Sequence, residues 1–237
     1  MASKSKMSQK KMLSVIIPVY NEELTIGNII DRVKAVVKQT GLKNEVIVVD
    51  DCSYDKSLEV AKRHSAKIYM LKSHLGKGYA LRAGFAKAKG DIIVTIDSDG
   101  SHKPEELPLV LAPIVQNKAD LVIGSRYLNQ KNVAARKLNA FGVKLFNSFI
   151  ELLTGVAITD SQSGYRAMKR EVLKSQNPQS EGYEIESEML VKTAQKNFRI
   201  TEVPISFEQR TYGRSGVDPI IDGFKILLSI VSAYMKG

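Results

Sequence analysis

Short apolar runs rich in β-branched residues recur along the first half of this chain without polar alternation: Leu-Ser-Val-Ile-Ile-Pro-Val at 13–19, Glu-Val-Ile-Val-Val-Asp at 45–50, Asp-Ile-Ile-Val-Thr-Ile-Asp at 91–97 and Leu-Val-Ile-Gly at 121–124. Strands of this kind are buried on both faces, the state of parallel strands covered by helices. Helical patterns separate them. The expected strands are 13–19, 45–50, 66–71, 91–97 and 119–124, with helices at about 22–39, 56–64, 77–89 and 104–116. After Gly124 the strict alternation stops. A long helix is expected over about 136–154, then a strand near 163–169, a helix at 184–196, a strand at 199–207, a glycine-containing loop and a terminal helix from 219. The fold class is therefore α/β, and 237 residues suit one domain around a central, mostly parallel sheet. Ligands of open α/β sheets bind beyond the carboxyl ends of the strands. Residues 12–125 read as the nucleotide-binding half and 126–237 as the acceptor half.

Residues 1–11 carry Lys4, Lys6, Lys10 and Lys11 with no acidic residue, and are expected to be a flexible basic tail. A second basic cluster holds Arg126, Lys131, Arg136, Lys137 and Lys144. It reads as a solvated face, or as the counterpart of an acidic substrate or an anionic membrane surface. Nucleic acid is disfavoured, because tryptophan is absent and no aromatic ladder interleaves the basic residues. One cysteine, Cys52, excludes an internal disulfide framework. The longest apolar candidate span, 226–235, is shorter than the roughly 18–20 residues that cross a bilayer. A soluble or surface-bound protein is expected. Two helices carry apolar stripes, Ile220, Phe224, Leu227, Leu228, Val231 and Met235 in one, and Phe141, Leu145, Phe146, Phe149, Leu152 and Leu153 in the other. Core packing, a membrane interface or a partner helix accounts for such stripes.

The chemistry concentrates at the strand ends. Asp97-Ser98-Asp99-Gly100-Ser101 directly follows an apolar strand, and two carboxylates one residue apart suit one hard cation such as Mg²⁺ or Mn²⁺. By itself the fragment is equally a turn. The first strand runs into Tyr20-Asn21-Glu22-Glu23 and the second into Asp50-Asp51-Cys52, so three strands bring acidic groups to one edge. Gathering like charges there without a cation or donors is costly. The other familiar sites are missing: no Gly-x-Gly-x-x-Gly follows the first strand, and Gly76-Lys77-Gly78 lacks P-loop spacing. His64, His74 and His102 read as solvated or packing residues. Asp51 by position alone reads as a cap of the next helix.

The segments PVYNEE, EVIVVDDCSYDKS, LGKGYALRAGFAKAKGDIIVTIDSDG, DLVIGSRY and DSQSGYRAMKREVL stand in the order found in family 2 glycosyltransferases of the GT-A fold. Over about 13–215 the chain most resembles the dolichyl-phosphate mannose synthase and polyprenyl-phosphate glycosyltransferase branch. The resemblance implies a GT-A nucleotide-diphospho-sugar transferase fold. It implies that Pro18, Tyr20, Glu22, Val49 and Asp51 line the base and ribose site, and that Lys77 and Arg82 lie near the donor diphosphate. Asp97 and Ser98 belong to the donor side, and Asp97 and Asp99 hold the metal together with Ser101. Arg126, Arg136, Arg210 and Ser215 surround donor and acceptor phosphates. The chain departs from the mannose synthases at three places. Ser101 stands where they tend to carry Gln, Ala140 (beside Asn139) where they carry Ser, and Gly213-Arg214-Ser215-Gly216 where they often read Gly-x-Ser-Lys.

The expected reaction is an inverting displacement assisted by Mg²⁺ or Mn²⁺, with Asp99 and Asp160 as catalytic carboxylates. It moves a hexose from GDP-mannose or UDP-glucose to a polyprenyl (dolichyl) phosphate. The expected location is peripheral, on the cytoplasmic face of the membrane. A phosphate monoester is largely dianionic near neutral pH and needs no strong base. A sugar-hydroxyl acceptor, on a glycan or glycolipid, would need one, from Asp160, Glu184 or Glu186. A nucleotidyltransferase and a nucleotide-sugar-binding protein without turnover are the remaining readings.

Overall fold

The computed structural model describes residues 11–128, 137–208 and 218–236. Its strands are β1 (Met12–Val19), β2 (Lys43–Asp50), β3 (Lys67–Met70), β4 (Ile92–Thr95), β5 (Leu121–Ser125), β6 (Arg166–Lys169) and β7 (Ile200–Pro204). They form one sheet in the order β3-β2-β1-β4-β6-β5-β7. Every neighbouring pair is parallel except those of β6, which runs antiparallel to β4 and to β5.

The missing alternation in β1 has a direct cause: both faces are covered. Leu13, Val15, Ile17 and Val19 pack under α1 (Ile26–Gln39) and α4 (Leu107–Val115), while Ile16 joins the core on the opposite face. Helix α1 buries Ile26, Ile29, Ile30, Val33, Val36 and Val37. Each such side chain contributes about 1.5–3 kcal/mol on leaving water. The opposite face is covered by α3 (Lys77–Lys87), α5 (Lys137–Thr154), α6 (Arg170–Gln176), α7 (Ile185–Gln195) and α8 (Ile221–Lys236). The remaining helix, α2 (Ser57–Arg63), packs beside α1 through Ala61.

The structure corrects several expected boundaries. The first helix begins at Ile26 rather than near 22, because Glu22 turns the chain: its N–H reaches Ser57 Oγ at 2.6 Å and its carbonyl accepts Ile26 N–H. The strand expected over 163–169 is only Arg166–Lys169. The Arg166 guanidinium donates back to the carbonyls of Ser161 and Ser163, which curls the preceding backbone out of the sheet. Helix α6 directly follows this strand and was not expected. The strand expected over 199–207 ends at Pro204, leaving Phe207 in an isolated bridge to His102. The two apolar stripes are also placed. Helix α8 buries Ile226, Ile230 and Ala233 and leaves Ile220, Ile221, Phe224, Leu228 and Met235 of its surroundings exposed. Helix α5 buries Val143 and Ile150, with Leu145 and Leu152 exposed. Lys4, Lys6, Lys10, Lys131, Arg136, Arg210, Arg214 and Ser215 lie outside the described residues.

Candidate active site

Adjacency of β2, β1 and β4, all parallel, puts their carboxyl ends side by side. The antiparallel β6 brings its leading loop to the same edge, since Arg166 is paired with Thr95 of β4 and Ile123 of β5. Residues from five strands therefore meet there.

Asp97 is the centre of the arrangement. Lys77 Nζ lies 2.8 Å from Asp97 Oδ1 and 2.8 Å from Glu186 Oε1. Two glycines bring that lysine in. Gly76 has φ +99°, and the loop before α7 presses so closely that a Cβ at Gly78 would stand 2.6 Å from the Ser180 carbonyl oxygen. Tyr79 N–H donates to the Glu181 carbonyl at 3.0 Å, pinning the start of α3 to that loop. Burial pulls the Lys77 ammonium down, but Asp97 and Glu186 outweigh it and hold it above its ordinary value. Burial likewise pushes Asp97 up, and Lys77 more than reverses the effect. Gly164 packs on the Asp97 carboxylate, where a Cβ would meet both oxygens at 2.6 Å.

Asp99 turns onto its own loop, accepting Ser101 N–H at 2.9 Å, with Gly100 at φ +77° completing the turn. His102 is buried between Tyr165 and Phe207, with Nδ1 3.8 Å from Asp97 Oδ2 and no hydrogen bond on either ring nitrogen. Burial lowers its pKa, which keeps the ring neutral. Among the described residues no three His, Cys, Asp or Glu side chains converge as a ready metal cluster. The donor set still fits a hard divalent ion: two carboxylates one residue apart, one of them already holding a cation, the Lys77 ammonium. Phosphate oxygens and water would have to complete the shell.

On the β2 side Asp51 does not cap α2, whose first turn is met by Asp55 through Ser57 N–H. Asp51 instead accepts Leu75 N–H and Gly76 N–H, each at 2.8 Å, and its Oδ2 lies 2.8 Å from His74 Nδ1. The His74 ring stacks on Tyr20 with centroids 3.8 Å apart. From the sequence His74 reads as a solvated or packing residue, whereas in the fold its ring bridges Asp51 and Tyr20. Pro18 and Val49 are paired across β1 and β2, and Val49 is a core residue. Glu22 and Ser98 are buried, bridged by Thr25, whose hydroxyl contacts Glu22 Oε2 and donates to the Ser98 carbonyl. Tyr20, Glu22, Asp51 and Ser98 are thus brought to one wall.

A second cation, Arg126, is anchored beside the site. Arg126 follows β5 and gives its backbone N–H, Nε and Nη2 to Asp160, at 3.0, 2.7 and 2.7 Å. Asp160 has no exposed surface, and Glu202 holds its loop by accepting Thr159 N–H and Asp160 N–H. Burial lowers the Arg126 pKa, but Asp160 outweighs it and keeps the guanidinium firmly charged. Both Asp160 oxygens are committed in this way. Arg82 is not drawn in: its Nη1 donates to the Gln179 carbonyl at 2.8 Å. Arg136, Arg210 and Ser215, expected around the phosphates, lie outside the described residues.

A profile of the family described as Glycosyl transferase family 2 matches residues 14–176. A UDP-N-acetylglucosamine–dolichyl-phosphate N-acetylglucosaminyltransferase of Methanococcus voltae is 32% identical over 95% of this chain and 97% of its own length. A dolichol-phosphate mannosyltransferase of Pyrococcus furiosus is 33% identical over 86% of this chain and 58% of its own length. Among solved structures, glucosyl-3-phosphoglycerate synthase from Mycobacterium tuberculosis in complex with Mg²⁺ and uridine diphosphate superposes with a TM-score of 0.74 at 26% identity, over 95% of this chain and 80% of that one.

Proposed function

The chain belongs to glycosyl transferase family 2 and has the GT-A fold, and on that premise we propose that it transfers one sugar from a nucleotide-sugar donor to a polyprenyl phosphate. The observation that carries the reading is an acidic cation seat, Asp97 with Asp99, beside the Arg126 guanidinium, which Asp160 anchors close enough to act on Asp97. A divalent ion, Mg²⁺ or Mn²⁺, would be held by Asp97 and Asp99, and supplies charge stabilisation for the departing diphosphate. The similar structure holds Mg²⁺ with a nucleoside diphosphate, which supports that part.

In this reading Tyr20, Glu22 and Asp51 orient the nucleoside, and Lys77 adds a second positive charge beside the diphosphate. Arg126, whose Nε and Nη2 are given to Asp160, draws the acceptor anion toward the sugar by its charge. Displacement from the opposite face inverts the anomeric centre. A phosphate acceptor also suits the carboxylates. Asp160 gives both oxygens to Arg126 and Glu186 faces the Lys77 ammonium, and a phosphate acceptor asks neither for a base. Asp160 is then a positioning residue for Arg126. A sugar-hydroxyl acceptor would fall to Glu184 or Glu186, each with one buried carboxylate oxygen that carries no hydrogen bond.

The relatives named for dolichyl phosphate support a lipid acceptor, and one of them widens the donor choice from GDP-mannose and UDP-glucose to UDP-N-acetylglucosamine. No described helix is long and apolar enough to cross a membrane. The exposed Ile220, Phe224, Leu228 and Met235 supply a face for peripheral contact, here assigned to the cytoplasmic leaflet. The test is transfer from each of the three donors to a short polyprenyl phosphate with Mg²⁺ or Mn²⁺, with and without EDTA. Sugar-lipid formation that stops in EDTA is expected. Transfer only to soluble sugar hydroxyls, or full activity in chelator, overturns the reading.

A further inference from the structure

The ammonium on Asp97 has a use beyond filling a charged pocket. We infer that Lys77 is a displaceable internal counter-ion, which neutralises Asp97 until a divalent cation arrives and then withdraws to Glu186, beside the diphosphate. The inference rests on the metal-dependent reading above.

Charge makes the first argument. Asp97 and Glu186 share a single ammonium, so the trio keeps one net negative charge, and Asp99 lies two residues further along. Glu186 is nearly fully buried, and leaving it without a cation would be costly. One ammonium held at 2.8 Å from both carboxylates satisfies them only while nothing else claims Asp97. A divalent ion and an ammonium cannot occupy the same side of Asp97 Oδ1 without strong repulsion.

Geometry makes the second. The backbone of Lys77 is fixed, because Gly76 and Gly78 are wedged against residues 180–182. Only the four-carbon stem can move, and lysine's stem is the flexible kind. Glu186 sits at the start of α7, whose leading loop is the one that pins α3, so the two ends of the exchange are held on one frame. The ring of Tyr183 lies 5.9 Å from Nζ and flanks the same path. A shift of the ammonium toward Glu186 therefore breaks no backbone contact. It exchanges one carboxylate partner for the phosphate oxygens of the donor. Metal and nucleotide then help each other bind, since the ion expels the ammonium and the diphosphate receives it.

The test reads Mn²⁺ binding without turnover, from the electron paramagnetic resonance signal of the free ion, with and without UDP or GDP. In the unaltered protein nucleotide should tighten Mn²⁺ binding. Lys77→Met should bind Mn²⁺ alone about tenfold more tightly, and lose most of the enhancement by nucleotide. Glu186→Gln removes the second seat with little change in volume, and should weaken Mn²⁺ binding alone about tenfold. It also keeps the idea testable if Lys77→Met fails to fold. Unchanged Mn²⁺ affinity in either folded variant overturns the exchange. So does a change in Lys77→Met that is equal with and without nucleotide, since a fixed structural charge would behave that way. Absence of Mn²⁺ binding in the unaltered protein, with or without nucleotide, overturns the metal site itself and the exchange with it.

Discussion

Asp160 accepts three hydrogen bonds from one arginine while exposing no surface to water, so Arg126 is the hydrogen-bonded partner of its charge. Breaking one partner of such a pair strands the other. Asp160→Asn should lower the unfolding free energy by about 3–5 kcal/mol, as measured by urea denaturation. If it stays folded, the Michaelis constant for the acceptor should rise while nucleotide affinity holds. Unchanged stability would mean that Arg126 finds other partners. Asp120, away from the site, gives a cleaner pH signature. Arg199 and then Lys169 hold its carboxyl well below the usual carboxylate range, against the opposing effect of burial. A depressed folded pKa stabilises above the unfolded value of about 3.9 and loses that contribution as pH falls. The stability deficit of Asp120→Asn should therefore be about 2 kcal/mol near pH 7 and shrink below about pH 4. A deficit that grows in acid would contradict the sign.

The start of α3 shows how one element serves another. Gly78 lies under the carbonyl oxygens of Ser180 and Gly182, which are backbone atoms and cannot step aside cheaply. Gly78→Ala should cost about 1–3 kcal/mol in thermal or chemical unfolding, although alanine is the better helix former. A stabilising effect would show that the loop yields. The sequence made Lys77 conspicuous but gave no sign of Glu186 as its partner, because pairs between distant elements leave no local pattern. For the same reason His74 passed as an ordinary histidine, since its stack on Tyr20 needs two loops to meet. The parallel strands were readable from their unbroken apolar runs. The reversed direction of β6 was not, because a strand's residues do not record which way it runs beside its neighbours. Helix α6 escaped as well: it spans only seven residues, Arg170–Gln176, and starts where β6 ends, with no glycine or proline to mark the junction.

At the scale of the whole molecule the sheet edge and the apolar helices divide the labour. The strand ends collect charge of both signs, while α5 and α8 touch each other and turn apolar side chains outward. Ile220 is 83% exposed, Phe224 62% and Met235 80%, in a protein whose formal charge is +10. Isolated apolar residues on a surface are ordinary, but a row of them at helical spacing beside Lys225 and Lys236 is the pattern of an interfacial helix. Burying such a row in lipid recovers the apolar transfer energy, and the lysines add an attraction to anionic headgroups that salt screens. The protein should therefore float with vesicles containing phosphatidylserine at low salt and be released in part at high salt. Phe224→Glu with Leu228→Glu should abolish flotation and leave melting nearly unchanged, because neither side chain supports the core. Transfer to a detergent-dissolved short polyprenyl phosphate should persist in that variant, while transfer to the same lipid in vesicles falls about tenfold or more. Equal activity on both presentations would separate the apolar face from catalysis and leave it to a protein partner.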